Sequence, residues 1–327
     1  MSMRRRCAAP GRCAAPADGG RRRWLAGAAG LLALGAAAGA AAQAGAAPRA
    51  TVTILDGAAR LLRGAGRFDL AEGVRLQPLD IVETGPQARL VRLEFADGPA
   101  LDLGPETRVL IEPRFVGERG RSQARAYLLA GWAKLSGAPP GSRPVAGGPP
   151  LLASPAFDLP GVGGSVVVAL GPSRAQAFAE AGESRLQERE GGSAVGSPRS
   201  LRGGEFFSRT GATPAAVLPR PLPDFVQGLP RGFLDTLPSR AALFKDRDVP
   251  PKPAGEIAYA EARDWLAGEP SLRRALMNRW RPLARPGAFR DALVANMAAH
   301  PEWDRVLFPE KYLPRPVTPP AAGAGVR

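Results

Sequence analysis

Between Ala50 and Pro250 no stretch of the chain reaches twelve residues without a glycine or a proline. A proline inside a helix costs about 3 kcal/mol and a glycine about 1, so long helices are excluded from this region. Short strands joined by turns are what such a sequence can build. Leu90 to Phe95 shows the pattern most clearly, with Val91, Leu93 and Phe95 on one face and Arg92 and Glu94 on the other. That period of two predicts a half-buried strand. Asp97-Gly98 then turns the chain into Leu101-Asp102-Leu103, which predicts a hairpin. Similar runs recur at Val52 to Leu55, Val74 to Leu76, Ile81-Val82, Val109 to Ile111, Ala126 to Leu129, Trp132 to Leu135 and Val166 to Leu170. Their spacing predicts a mainly β, antiparallel sandwich or roll over residues 50–210. Ser136 to Pro150 reads as an exposed loop.

Prolines recur every few positions across residues 211–255, which reads as an extended linker with a short docking helix near Leu229 to Leu237. From Glu256 the period becomes 3.6. Ala258, Ala262, Trp265 and Leu266 share one face; Leu272, Leu276, Trp280 and Leu283 share a second; Phe289, Leu293, Met297 and His300 share a third. Gly268-Glu269-Pro270, Arg285-Pro286-Gly287 and His300-Pro301 are the breaks. The expectation is a small C-terminal helical bundle over residues 256–313, then a disordered tail over 314–327. A bundle of that size is marginal alone and needs the β domain or a partner to complete its core.

Arg21, Arg22 and Arg23 precede an uncharged run from Trp24 to Ala42, and Ala42-Gln43-Ala44 sets small residues around a cleavage point. This is the grammar of a signal peptide over residues 1–44. Paired arginines before Trp24-Leu25 leave the Sec and twin-arginine routes both open. The expected location is the periplasm; the competing reading is an inner-membrane anchor formed by residues 24–44. Cleavage removes Cys7 and Cys13 and lowers the net charge from +14 to about +8.

One histidine and two cysteines exclude multi-histidine metal centres, zinc ribbons and disulfide scaffolds. No cofactor, metal or catalytic residue is expected. The arginines are scattered and aromatics make up only 6% of the chain, which argues against nucleic acid as a partner. Gly161-Val162-Gly163-Gly164-Ser165 is rich in glycine, but Val166-Val167-Val168 continues as a strand, so it lacks the helix a phosphate loop needs. His300 reads as a helix-terminal residue capping carbonyls. Trp265, Trp280 and Trp303 read as core residues; the alternative is a platform that stacks on a sugar ring.

Gly73-Val74-Arg75-Leu76, Asp80-Ile81-Val82-Glu83-Thr84-Gly85, the strand at 90–95 and Asp97-Gly98 together resemble the FecR domain of bacterial envelope proteins. In that family a glycine-initiated strand leads to an Asp-x-x-x-Thr-Gly turn and a hairpin closed by Asp-Gly. Leu129-Ala130-Gly131-Trp132, Ser154-Pro155 and Val162 to Val166 match more loosely, so the resemblance covers about residues 50–210. Leu79 stands where the family usually has glycine, and Gly163 where it has arginine. Gly73, Asp80, Thr84, Gly85, Asp97 and Gly98 are read as turn-forming residues.

The resemblance implies interaction rather than catalysis, since FecR proteins relay signals from an outer-membrane transporter to a sigma factor. That relay needs a cytoplasmic domain, and Met1 to Gly20 ahead of the apolar run are too few for one. The expected function is a periplasmic FecR-domain module that binds another envelope protein or a cell-wall polymer. Membrane contact is expected only if the signal segment is retained. The alternatives are a peptidoglycan- or glycan-binding envelope protein and a membrane-anchored sigma-factor regulator-like protein.

Overall fold

The computed structural model describes residues 50–117, 123–137 and 151–313. The leader at 1–44, the tail at 314–327 and most of the loop from Ser136 to Pro150 lie outside the described residues. The first part of the chain forms β1 (Ala50–Asp56), β2 (Ala59–Arg63), β3 (Gly66–Asp69), β4 (Arg75–Leu76), β5 (Ile81–Thr84), β6 (Leu90–Phe95), β7 (Ala100–Leu103), β8 (Arg108–Ile111) and β9 (Ala126–Ser136). The second forms β10 (Leu152–Ala153), β11 (Phe157–Val162), β12 (Ser165–Gly171), β13 (Arg174–Ala181), β14 (Glu183–Glu190), β15 (Ser193–Ala194), β16 (Arg199–Arg202), β17 (Phe206–Thr210), β18 (Ala216–Leu218) and β19 (Lys252–Glu256).

These strands make two faces of a curled, mainly antiparallel β body. The front sheet runs β4-β1-β6-β7-β9-β12-β13-β17-β18. The back sheet runs β19-β3-β2-β5-β8-β9-β10-β11, with β9 and β10 the one parallel pair among the described strands. The β9 strand belongs to both, pairing through Ala126 to Ala130 with β8 and through Gly131 to Ser136 with β12. The two short runs expected at Ala126 and Trp132 are therefore one strand that bends at Gly131. There φ is 99°, and a Cβ would collide with the backbone of Thr107, so only glycine can carry the strand from one sheet to the other.

The space between the sheets is filled by Val91, Leu93 and Phe95, as their alternation predicts, with Leu101 and Leu103 also from the front and Leu61, Val82 and Val109 from the back. The other side of β6 departs from expectation. Arg92 and Glu94 should face water, yet every residue of β6 is buried. What covers them is residues 219–250.

This segment crosses the outer face of the front sheet as a strap. It contains a short helix, α1 (Pro223–Gly228), and two 3-10 turns, Arg231–Phe233 and Ala241–Phe244. The helix lies upstream of the expected one because Pro223 occupies its first turn, where the missing N–H costs nothing, whereas Pro230 and Gly232 interrupt the stretch from Leu229 to Leu237. Phe225 packs edge-on against Phe206, with ring centroids 4.9 Å apart, and against Trp132 at 5.1 Å. Phe244 reaches the opposite edge and lies over Gly73, where a Cβ would sit 2.7 Å from Val249 Cγ2. The chain then pairs as β19 with β3 of the back sheet.

Four helices cover the outer face of the back sheet: α2 (Tyr259–Leu266), α3 (Pro270–Trp280), α4 (Ala288–Ala295) and α5 (Asp304–Leu307). Their buried residues are those of the 3.6-residue pattern, and they share one apolar cluster with Leu62, Ile81, Leu110 and Tyr127 of the sheet. The helices therefore complete their core on the strands, as their small size requires. Arg279 fixes the join by donating to the carbonyls of Gly64, Leu79 and Leu62. Burial pulls its guanidinium down to about 10, against the nearby Asp80 carboxylate.

Candidate recognition site

The residues read from the sequence as turn formers sit at turns. Asp80 accepts from the Gln77 N–H at 2.8 Å and pairs with Arg63 Nη2 at 2.6 Å. Thr84 donates to the Gly104 carbonyl at 2.6 Å and accepts from the Thr107 N–H at 2.8 Å, and the Gly85 N–H donates to Ala58 at 2.9 Å. Asp97 pairs with Arg125, and Gly98, at φ 110°, closes the hairpin. Leu79, standing where glycine was expected, holds φ at 67°. At Gly163 a Cβ would lie 2.7 Å from the Glu183 carbonyl oxygen, so an arginine there would need the strands to separate.

Trp265, Trp280 and Trp303 are fully buried. No face of their rings is open to a sugar, because the helices close on the sheet over them. His300 is buried too, with its Nε2 at 2.8 Å from the Tyr259 hydroxyl and the backbone of Leu266 and Ala299 beside its ring. Burial holds its pKa below the ordinary value.

The structure brings together a group that the sequence pattern does not single out. Across the outer face of the back sheet, Lys252, Asp69, Arg60, Glu83 and Arg108 stand directly opposite one another on β19, β3, β2, β5 and β8. This is a ladder of alternating charge, the arrangement that favours cross-strand pairs. Its centre is Glu83, only 4% exposed. Glu83 accepts from Arg60 Nε at 2.7 Å and from Trp265 Nε1 at 2.9 Å. Glu261, at the start of α2, bridges Arg60 at 3.0 Å and Arg67 at 3.2 Å, and also accepts from the Ala258 N–H at 2.8 Å. Arg108 pairs with Asp264. Burial raises the Asp264 carboxyl, but hydrogen bonds from Arg263 and Arg108 outweigh it and leave the pKa below its usual value.

Beside this ladder lies an open polar trough of about 440 Å³, lined by Ala58 to Arg60, Asp69, Glu83 to Pro86, Glu106 and Arg108. The arginines there are tied to carboxylates, whereas Asp69 and Glu106 are exposed and their side chains make no ion pair or hydrogen bond among the described residues. Glu106 also holds φ at 49° in the Pro105-Glu106 turn, a conformation that glycine adopts with less strain. The trough thus offers two exposed carboxylates that form no direct ion pair, beside arginines that are already paired, which suits a cationic or polar group of a partner. Among the described residues no three His, Cys, Asp or Glu side chains are grouped to hold a metal.

No family model matches the chain, and no curated protein matches it. Two solved structures match part of the chain, both described as a "putative anti-sigma factor" from Parabacteroides distasonis. One is 13% identical with a TM-score of 0.33, the match covering 45% of this chain and 64% of that one. The other is 12% identical with a TM-score of 0.32, covering 43% and 59%. This chain thus spans less than two thirds of the length of either structure.

Proposed function

We propose that this chain is an exported, non-enzymatic binding module of the FecR kind that works in envelope signalling. The carrying observation is the trough. Two exposed carboxylates without a direct ion pair, Asp69 and Glu106, line it together with the Thr84-Gly85 turn of the FecR-like motif, and its arginines are already paired. A surface of this kind binds by charge complementarity. The left-handed Leu79, at the position where the family carries glycine, supports the resemblance independently of any overall likeness of fold. The uncharged run behind Arg21 to Arg23 supports export.

In this reading the partner is an envelope protein that presents a basic side chain to the trough. The test is recovery of the tagged full chain from cell fractions of its native host after in-cell cross-linking, beside an Asp69→Ala/Glu106→Ala variant. Expected are a mature amino terminus near Gly45, recovery in the exported fraction, and an envelope protein whose yield falls about tenfold in the variant. Recovery from the cytosol, or equal yield from both proteins, contradicts the proposal.

A further inference from the structure

The strap over residues 219–250 and the β body are held together in different ways. The apolar cluster between the two sheets contains none of the strap's phenylalanines. Phe225 and Phe233 belong to a separate cluster on the outer face of the front sheet, with Leu90, Val167, Ala169 and Phe206. No strand pairing joins the segment to either sheet between Leu218 and Lys252.

Its backbone is instead gripped by charged side chains of the sheet. Lys134 Nζ donates to the Phe233 carbonyl at 2.6 Å, and Arg92 Nη2 to the Leu237 carbonyl at 3.3 Å. Glu94 accepts from the Ser239 hydroxyl and from the N–H groups of Arg240 at 2.8 Å and Ala241 at 3.2 Å. A cover serving stability alone is better made apolar, because buried charges cost desolvation. Contacts to main-chain atoms are how a surface holds an extended peptide with little regard to sequence.

The gripping groups also keep partners of their own within the sheet. Arg92 holds Asp102 at 2.9 and 3.0 Å, Lys134 holds Glu180 at 2.8 Å, and Glu94 accepts from the Thr53 hydroxyl at 2.7 Å. Removing the strap would leave these charges paired while baring Leu90, Val167, Ala169 and Phe206, an apolar surface for a second occupant to cover.

We propose that the strap is a releasable cis occupant of a peptide-binding face. It leaves as a unit while the sandwich stays folded, and the uncovered face takes a phenylalanine-bearing peptide in trans, held through its main chain as the strap is. The regulatory consequence is that the groove is silent until the strap is displaced.

Hydrogen exchange of the intact full chain tests release directly. Expected is that amides of residues 225–245 exchange at least about tenfold faster than those of Val166 to Leu170, which open only with the body. Equal protection of the two segments overturns the proposal. A second measurement uses Phe225→Ala/Phe233→Ala and a synthetic peptide with the sequence of residues 222–245. Expected is that the variant keeps a cooperative melt and binds the peptide, with affinity falling at least about tenfold when Lys134→Ala is added. Loss of the β body's melt in the variant, or a folded variant that does not bind, contradicts it.

Discussion

At the scale of single residues the backbone is held by a few positions whose conformations are demanding. Gly131 is the strictest, since its φ of 99° and the neighbouring Thr107 backbone leave no room for a Cβ. Gly131→Ala is predicted to lower unfolding stability by at least about 2 kcal/mol, measured by urea melts. Leu79 is a milder case. Its side chain packs on the helical cluster while its φ is 67°. Leu79→Gly exchanges strain for packing and should change stability by less than about 1 kcal/mol. Leu79→Val puts a β-branched residue at positive φ and should cost about 2 kcal/mol. Such positions were partly legible in the sequence: the resemblance marks 79 as a glycine site and matches Leu129 to Trp132 loosely to a strand that bears a glycine, although the pattern alone splits that strand in two at Gly131. The strained Glu106 was not, because nothing in Gly-Pro-Glu-Thr distinguishes a left-handed glutamate from an ordinary turn residue.

At the scale of elements, reading worked where one face of a segment decides its fate. Val91, Leu93 and Phe95 point into the sandwich as their alternation requires, and the buried faces of α2, α3 and α4 follow the 3.6-residue pattern. It failed where a second layer intervenes, since alternation reports only that Arg92 and Glu94 lie opposite the core. It also passed over β2, β3 and β14, whose arginines and glutamates hide the period of two.

The helical layer carries two element-scale predictions. Trp265→Phe removes the donor to Glu83 and should cost about 1–3 kcal/mol, by chemical denaturation. His300 favours its neutral form when buried, so its contribution is complete above the ordinary 6.5 and is lost as pH falls through the depressed folded value. Protection factors of the amides in α2 and α4 should therefore fall as pH drops below 6.5 in the wild type. In His300→Gln the same helices should show little change across that range. Under the strap the sign is reversed. Burial pushes Asp102 up to about 6 despite Arg92 and Lys134. Its ionisation thus weakens the front sheet as pH rises from the ordinary 3.8 to that value.

At the scale of the whole molecule, one β body is wrapped on both outer faces, by the strap in front and by helices behind. The trough is left as an open surface beside the helical layer. Its charge ladder joins residues from Arg60 to Lys252, far apart in the chain, so strand register builds it and local pattern cannot reveal it. The most direct measurement replaces Ala58, an exposed residue lining the trough, by a photo-cross-linking residue in the full chain expressed in its native host, with Val195, exposed and outside the trough, as the control position. The account predicts an adduct with an exported envelope protein from position 58 and none from 195. Equal labelling from both positions, or adducts with cytosolic proteins alone, would contradict it.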